Sequence, residues 1–135
     1  MTEQARRADA FLALHDERRG DAILVLPNAW DPGSARVMQA AGARAIGTTS
    51  MGISASLGYP DVEQLPFEAM LDAVGRIVEA VELPVTADME AGYGDTTAAV
   101  VASIDRVVER GVVGINIEDG TGDPQAPLCA PELLA

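Results

Sequence analysis

Short apolar runs alternate with longer amphipathic segments along this chain, and no other feature constrains the fold as strongly. Runs of strand length occupy residues 21–27, 43–50, 83–88 and 112–119. Helical spacing of apolar residues predicts four helices, at 5–18, 31–42, 66–81 and 95–111. One helix followed by a β-α-β-α-β-α-β order predicts an α/β protein with a parallel sheet and right-handed crossovers.

Two segments fall outside this alternation. Residues 51–65, MGISASLGYPDVEQL, contain Gly52, Gly58 and Pro60, and their length predicts a working loop rather than a tight connection. The tail GTGDPQAPLCAPELLA predicts a loop rich in Pro and Gly, with a helix starting at PELLA (131–135).

Two architectures accommodate these units. One is a small doubly wound sheet of flavodoxin type; the other is a (β/α)8 barrel, which takes about 250 residues, so that this chain of 135 residues would form roughly half of it. We find no linker and interpret residues 1–135 as a single domain. In both architectures, ligands bind at the carboxyl ends of the strands.

Composition excludes several functional classes. The net charge of −12 argues against binding to nucleic acid or anionic membranes, and no apolar run reaches the length of a membrane span. A single cysteine excludes an internal disulfide and predicts a reducing, cytoplasmic location. All nine basic residues are arginine, so this chain alone has no amine for Schiff-base chemistry.

Acidic residues cluster where the predicted strands end. Asp88 and Glu90 follow the third strand, Glu118 follows the fourth, and Asp61 lies in the loop after the second. Side chains two apart on a strand point to the same side, and clustered carboxylates repel one another unless a cation or proton lies between them. The carboxylates of these acids provide oxygen ligands, which Mg2+ and Mn2+ prefer. Zinc is less favoured, because the only His and the only Cys lie far apart in the chain. The alternative is that these acids cap helices or are solvated loop charges.

Three stretches together resemble the isocitrate lyase/phosphoenolpyruvate mutase superfamily. They are LPNAWDPGSARVMQAAGARAIGTTSMGISASLGYPD, LPVTADMEAGYGD and VVGINIEDGTG, and they agree with the family in order, spacing and chemistry. The resemblance implies a (β/α)8 barrel with Mg2+ near the carboxyl ends of the strands. Residues 1–135 would then be the N-terminal part of that barrel, truncated after its fourth strand. It also implies cleavage or formation of a C–C or P–C bond next to a 2-oxo acid, through a pyruvate enolate or a similar species.

The resemblance also implies roles for individual acids. Asp88 takes the position of the principal metal ligand, and Glu90 replaces a second aspartate that acts through a metal-bound water. Glu118 matches the next acid of the metal shell, and Asp61 matches a loop aspartate near the metal. We therefore treat Asp61 and Glu118 as candidate catalytic residues.

Substrate binding is implied for a second group of residues. Thr48, Thr49 and Ser50 match the family segment whose backbone N–H groups and hydroxyl hold the carboxylate and oxo oxygen of the substrate. Trp30 and Tyr93 are candidates for the pocket wall, with core packing and loop packing as the respective alternatives.

Two departures from the family pattern reduce the number of reactions that the resemblance implies. Family lyases carry KRCGH shortly after the fourth strand, whereas this chain reads GTGDPQAPLCAPE there, and the loop lysine of the mutase is also absent. We read Cys129 as an incidental thiol. These differences favour the lyase-like or oxaloacetate decarboxylase-like branch. The alternatives are phosphonate-forming mutase chemistry and a non-catalytic fragment that needs a partner to complete its fold.

Four strands of a barrel would leave two open edges, and open edges invite association. We therefore expect a homo-oligomer, with apolar area exposed on the inner face of the sheet at Val25, Ile46, Val85 and Ile115. The expected ligand is a small carboxylic acid.

Overall fold

The computed structural model describes residues 1–16, 23–61, 63–121 and 123–131. The elements follow the order α1 (Glu3–Leu14), β1 (Asn28–Ala29), α2 (Pro32–Ala40), β2 (Ile46–Thr48), α3 (Ser50–Ser56), α4 (Phe67–Ala80), β3 (Val85–Asp88), α5 (Thr97–Glu109) and β4 (Gly114–Asn116). The described strands form one parallel sheet in the order β1-β2-β3-β4. A flavodoxin-type sheet places its first strand between the second and third. The sequential order therefore excludes that architecture and agrees with the barrel.

Side chains that cap free backbone N–H groups fix where the helices begin. Asp31 accepts a hydrogen bond of 2.6 Å from the Ser34 backbone N–H, and the Ser34 hydroxyl accepts one of 3.1 Å from the Asp31 N–H. Thr49 and Thr96 cap α3 and α5 through their hydroxyls. Such caps satisfy donors that a helix cannot pair internally. Helices α2 and α3 consequently begin close to the carboxyl ends of β1 and β2.

The hydrophobic core lies between the sheet and α4. Met70 and Val74 of α4 are fully buried, and they belong to one cluster with Ile46 of β2 and Val85 of β3. Our expectation that Ile46 and Val85 expose apolar area is wrong, because both pack on the helix side of the sheet and are at most 1% exposed. Val25, by contrast, is 73% exposed, and Ile115 is only partly buried.

Small residues from three neighbouring strands form a row across one face of the sheet. Gly47 pairs with Thr86, and Thr86 pairs with Gly114, across β2, β3 and β4. A Cβ atom at Gly114 would lie 2.7 Å from Phe11 Cε1 and 2.8 Å from Thr86 Oγ1. Helix α1 thus packs Phe11 against the sheet at a position that only glycine allows.

Helix α3 occupies most of the first half of residues 51–65, which we predicted to be a loop, and begins one residue earlier, at Ser50. Thr49 starts it by accepting a hydrogen bond of 3.2 Å from the Gly52 N–H, and Gly58 follows its end with a φ of +82°. Gly52 lay within the segment that we predicted to be a loop from its length. In the structure it permits close packing, because a Cβ there would lie 2.6 Å from Thr49 Cγ2 and 3.0 Å from Trp30 Cβ.

The first strand also differs from the prediction. We placed it at 21–27, but the paired residues are Asn28–Ala29, and residues 21 and 22 lie outside the described part of the chain. The Pro27 carbonyl accepts a hydrogen bond of 2.9 Å from the Gly47 N–H. Because β2 itself spans only Ile46–Thr48, it provides β1 with few positions to pair.

The remaining elements agree with the prediction apart from their ends. The predicted strands 43–50 and 112–119 shorten to three residues each, since Ser50 already belongs to α3 and since β4 pairs with β3 only over Gly114–Asn116. The end of the predicted helix 5–18 and most of 131–135 lie outside the described residues. In the described ranges, no helix combines the length and the apolar character that a membrane crossing requires.

Candidate active site

Asp88 ends β3 and is bonded to the start of α3. Its Oδ2 accepts hydrogen bonds from the Ser50 backbone N–H at 2.9 Å and from the Ser50 hydroxyl at 2.7 Å. The Asp88 N–H donates to the Thr48 hydroxyl at 3.0 Å. The structure thus brings three predicted site residues together from two neighbouring strand ends. Hydrogen bonds to an ionised acceptor are among the stronger ones in proteins.

Most polar groups of the predicted substrate cradle already have partners within the protein. The Thr49 N–H donates to the Ala29 carbonyl at 3.1 Å, the Thr49 hydroxyl oxygen accepts from the Gly52 N–H at 3.2 Å, and both donors of Ser50 meet Asp88. Thr48 is buried, at 1% exposed. A substrate carboxylate would therefore reach Ser50 only by displacing Asp88, and the cradle stays a prediction.

Glu90 is 6% exposed although it carries a carboxylate. Its Oε2 accepts a hydrogen bond from the Glu63 backbone N–H, and its Oε1 accepts one of 3.2 Å from the Tyr93 hydroxyl. Burial raises the pKa of Glu90 above its ordinary value; these two hydrogen bonds oppose the rise, and the nearby charges of Asp61 and Glu63 add to it. Glu90 is thus engaged with loop residues rather than turned to an open ligand site.

Tyr93 packs the loop between β3 and α5. Its ring lies 5.4 Å from the Phe67 ring, measured between centroids. Burial and then the charge of Glu90 raise the pKa of Tyr93 well above its ordinary value, so its hydroxyl remains a hydrogen-bond donor at neutral pH. These contacts fit the alternative of loop packing, and a contact with substrate stays a prediction.

The other two predicted acids have exposed side chains. Glu118, past β4, joins the site through its backbone, because its N–H donates to the Glu90 carbonyl at 2.7 Å. Asp61 is exposed in the loop between α3 and α4, and its charge acts on Glu90. The structure places both acids around the end of β3 without bonding either carboxylate to Asp88.

Glu63 is the residue that the sequence analysis missed. Its carboxylate Oε1 accepts a hydrogen bond of 2.8 Å from the Tyr93 backbone N–H, while its own N–H donates to Glu90. The only signal in the sequence is an acid two residues after Asp61. Nothing in that spacing separates it from a solvated loop charge.

Trp30 and Cys129 lie apart from these contacts. Trp30 is 44% exposed and lines a cavity of about 190 Å³ together with Leu57 and Arg76, on the side of α2, α3 and α4. Cys129 is partly buried, and its backbone N–H donates to the Asp119 carbonyl at 2.8 Å. The role of Trp30 in a substrate pocket stays a prediction.

The acids at the end of β3 fit a hard cation in part. Within the described ranges, no three His, Cys, Asp or Glu side chains gather closely enough to hold a metal ion. Asp88 nevertheless suits one, since its Oδ1 accepts a long hydrogen bond of 3.4 Å from the Glu90 N–H and keeps capacity for a ligand. Mg2+ commonly binds through one or two carboxylates and several waters. Glu90 fits less well, because Glu63 and Tyr93 occupy its two oxygens.

Known proteins with related sequences include lyases and mutases. The family model for phosphoenolpyruvate phosphomutase matches residues 11–135. The 2,3-dimethylmalate lyase of Eubacterium barkeri is 37% identical over 98 residues, which cover 72% of this chain and 34% of the lyase. A Burkholderia cenocepacia J2315 structure, described provisionally as a lyase/mutase, is 43% identical with a TM-score of 0.85, and the match covers 95% of this chain and 44% of that one.

Two structures with bound oxalate share the fold. Oxaloacetate acetylhydrolase in complex with its product oxalate is 27% identical with a TM-score of 0.78, over 91% of this chain and 43% of the hydrolase. Phosphonopyruvate hydrolase in complex with oxalate and Mg2+ has a TM-score of 0.81 at 23% identity, over 99% of this chain and 45% of that one. The chain thus spans less than half the length of the proteins it matches. Its parallel βα units correspond to about half of their barrel, as predicted.

Proposed function

This chain belongs to the phosphoenolpyruvate phosphomutase family, and we propose that it carries the metal-binding acids of an active site that cleaves a C–C bond in a small 2-oxo or 2-hydroxy acid. The bonding of Asp88 to Ser50, where β2 and β3 end, is the observation that supports the proposal most directly. The names of two similar enzymes, 2,3-dimethylmalate lyase and oxaloacetate acetylhydrolase, contain acids of this class.

Asp88 would bind Mg2+ or Mn2+ directly, with Glu90 acting through a metal-bound water and with Glu118 and Asp61 around the ion. When bound, the ion supplies Lewis-acid polarisation of an oxo oxygen of the substrate. The N–H and hydroxyl of Ser50, now bonded to Asp88, would turn to the substrate carboxylate once a cation engages Asp88. Fixed donors of this kind stabilise negative charge that develops on an oxygen.

The absent lysine and KRCGH motif favour a lyase-like or oxaloacetate decarboxylase-like reaction. A second candidate is phosphonomutase chemistry at a P–C bond, which the name of the matched family supports. A third is a non-catalytic chain that binds metal or a partner, which the matched share of 44% or less in the dimethylmalate lyase and the Burkholderia protein supports.

Oxalate binding tests the proposal, because oxalate resembles a pyruvate enolate. We expect calorimetry to detect oxalate binding only when Mg2+ or Mn2+ is present. Asp88→Ala should abolish it, whereas Asp72→Ala, which removes an exposed acid on α4, should leave it unchanged. Binding that persists in Asp88→Ala, or that needs no metal, would overturn the proposal.

Turnover assays separate the candidates. Oxaloacetate, 2,3-dimethylmalate and phosphonopyruvate would be offered in parallel with Mg2+. Cleavage of either carbon acid supports the lyase proposal, and turnover of phosphonopyruvate alone supports the mutase. Metal-dependent oxalate binding without any turnover supports the non-catalytic chain.

A further inference from the structure

Three residues in two separate loops share an unusual backbone conformation. Among the described non-glycine residues, those with a positive φ are Glu63, Glu90 and Tyr93, at +52°, +50° and +55°. Side chains of L-residues disfavour this region. Such conformations persist where the surrounding contacts enforce them, so their contacts identify what these loops are built to hold.

The three residues are bonded to one another. The Glu63 N–H donates to Glu90 Oε2, the Tyr93 N–H donates to Glu63 Oε1 at 2.8 Å, and the Tyr93 hydroxyl donates to Glu90 Oε1 at 3.2 Å. We call this closed ring of hydrogen bonds the loop clamp. It allows two carboxylates to lie close together, because each accepts from N–H or O–H donors rather than facing the other.

One side of the loop clamp is bonded to the segment after β4 and to α5. The Glu90 carbonyl accepts a hydrogen bond of 2.7 Å from the Glu118 N–H, beyond β4. The Tyr93 carbonyl accepts one of 3.3 Å from the Ser103 hydroxyl of α5. The loop between β3 and α5 is therefore the fixed partner, and the loop between α3 and α4 is the one that the clamp holds in place.

We infer that Glu63 is a positioning residue, which holds the loop bearing Asp61 against the end of β3. Asp61 lies two residues before Glu63, in a loop whose acids would otherwise be repelled by Asp88 and Glu90. The role of Asp61 at a metal rests on the proposed function, whereas the loop clamp does not. Glu63 thus acts through Asp61 and needs no contact with a ligand.

Amide hydrogen exchange followed by NMR tests the loop clamp directly. We expect Glu63→Ala to speed exchange of the Tyr93 N–H about tenfold or more, because it loses a charged acceptor. Glu63→Gln keeps an acceptor oxygen and should restore most of the protection. The Ile46 N–H, which donates to the Pro84 carbonyl in the sheet, should be unaffected. Glu79→Ala removes an exposed acid of α4 and serves as the matched control.

Glu63→Gly separates the effect of the lost side chain from the effect of the backbone conformation at this position. Glycine accepts a positive φ without cost but provides no carboxylate, so the Tyr93 N–H should exchange as fast as in Glu63→Ala. Protection that survives in Glu63→Ala or Glu63→Gly would overturn the inference. Equal acceleration at Tyr93 and Ile46 would also overturn it, because that pattern indicates global destabilisation.

Mg2+ titration distinguishes failure of the loop clamp from failure of the proposed function. Glu63→Ala should weaken Mg2+ binding severalfold, and it should add nothing in an Asp61→Ala background, because both changes remove the same acid from the site. Additive losses would overturn the link between Glu63 and Asp61. A wild-type chain that binds no Mg2+ would contradict the proposed function, and the exchange rates alone would then decide the loop clamp.

Discussion

The strands β3 and β4 end alike in sequence but differently in structure. Asp88 and Glu90 follow β3, and Glu118 and Asp119 follow β4. Asp88 is half-buried and Glu90 is buried, and both carboxylates accept hydrogen bonds. The side chains of both β4 acids are exposed.

The difference follows from the place of each strand in the sheet. β3 has a partner strand on either side, whereas β4 is the last strand in the described order. Partners therefore reach the end of β3 from both directions: Ser50, past β2, donates to the Asp88 carboxylate, and the Glu118 N–H, past β4, donates to the Glu90 backbone carbonyl. The Glu90 carboxylate accepts from Glu63 and Tyr93. Whether an acid after a strand is buried thus depends more on the neighbouring elements that provide donors than on the number of acids there. This contrast leads to four predictions.

The largest expected effect concerns the open side of β4. Unpaired backbone groups at a sheet edge pair readily with other chains, and Asn116 at the end of β4 is exposed. We propose that the chain self-associates. Sedimentation velocity should show species heavier than one chain, and Asn116→Lys should shift the distribution toward the monomer, since edge lysines oppose pairing. A wild-type monomer at all concentrations would contradict this prediction.

Met89 and Ile117 form a matched pair, because each follows one of the register partners Asp88 and Asn116. Met89 is fully buried, whereas Ile117 is partly exposed. Met89→Ala should lower the free energy of unfolding by about 2–5 kcal/mol. Ile117→Ala should lower it by less than about 2 kcal/mol, because less apolar area returns to water. Urea unfolding of both variants at one protein concentration provides the measurement, and equal losses would break the comparison.

The Ser50 hydroxyl should contribute an intermediate amount. It is nearly buried and donates to an ionised group, so Ser50→Ala should cost about 1.5–3 kcal/mol in the free energy of unfolding. Ser56→Ala is the control, because the Ser56 hydroxyl donates to the neutral Ile53 carbonyl at 2.8 Å and should contribute only about 0.5–1.5 kcal/mol. Chemical unfolding at neutral pH measures both, and the same loss in both would argue that Asp88 is not a special acceptor.

Glu90 should produce the smallest effect, a dependence of stability on pH. Burial raises its pKa in the folded protein above the ordinary value of 4.5, so the folded state binds the proton more tightly than the unfolded state. Its contribution is therefore fully present below pH 4.5 and is lost as the pH rises through the folded pKa. The hydrogen bonds from Glu63 and Tyr93 oppose the shift, which keeps the effect small.

Two variants test this dependence by urea unfolding at roughly pH 4 to 8. Glu90→Gln should remove the decline, because no proton is taken up or lost at that position. Tyr93→Phe should extend the decline to higher pH, because it removes a hydrogen bond that favours the ionised form. If Glu90→Gln retained the wild-type slope, another group would be responsible.

Local patterns in the sequence were enough to predict much of the fold. Apolar spacing located α4 and β3, and Asp31 followed by Pro32 marked the start of α2. These features depend on residues within one or two turns of each other, so the sequence encodes them directly. The position of Asp88 at the end of β3 followed from the same reasoning.

Features that depend on close approach between elements were not predictable in this way. Residues 51–65 were predicted to be a loop, although Gly52 makes room for Trp30 and Thr49 inside helix α3. The length of β1 depends on which of its residues pair with β2, and these are Asn28 and Ala29. Ile46 and Val85 face the helices because of how the strands lie on α4, and the apolar run that contains each residue is compatible with either face.

The sequence by itself determined the order of the strands and of the helices other than α3, the start of α2 and the presence of acids at the strand ends. The tertiary structure decided which donors those acids accept. Asp88 bonds to Ser50 across 38 residues of sequence, and Glu63 bonds to Tyr93 across 30. Local propensity carries no information about such pairs, because each depends on where two separately built loops meet in space. In the sequence, Glu63 accordingly looks like any solvated loop acid. Its tertiary contacts are what led us to infer that it is a positioning residue.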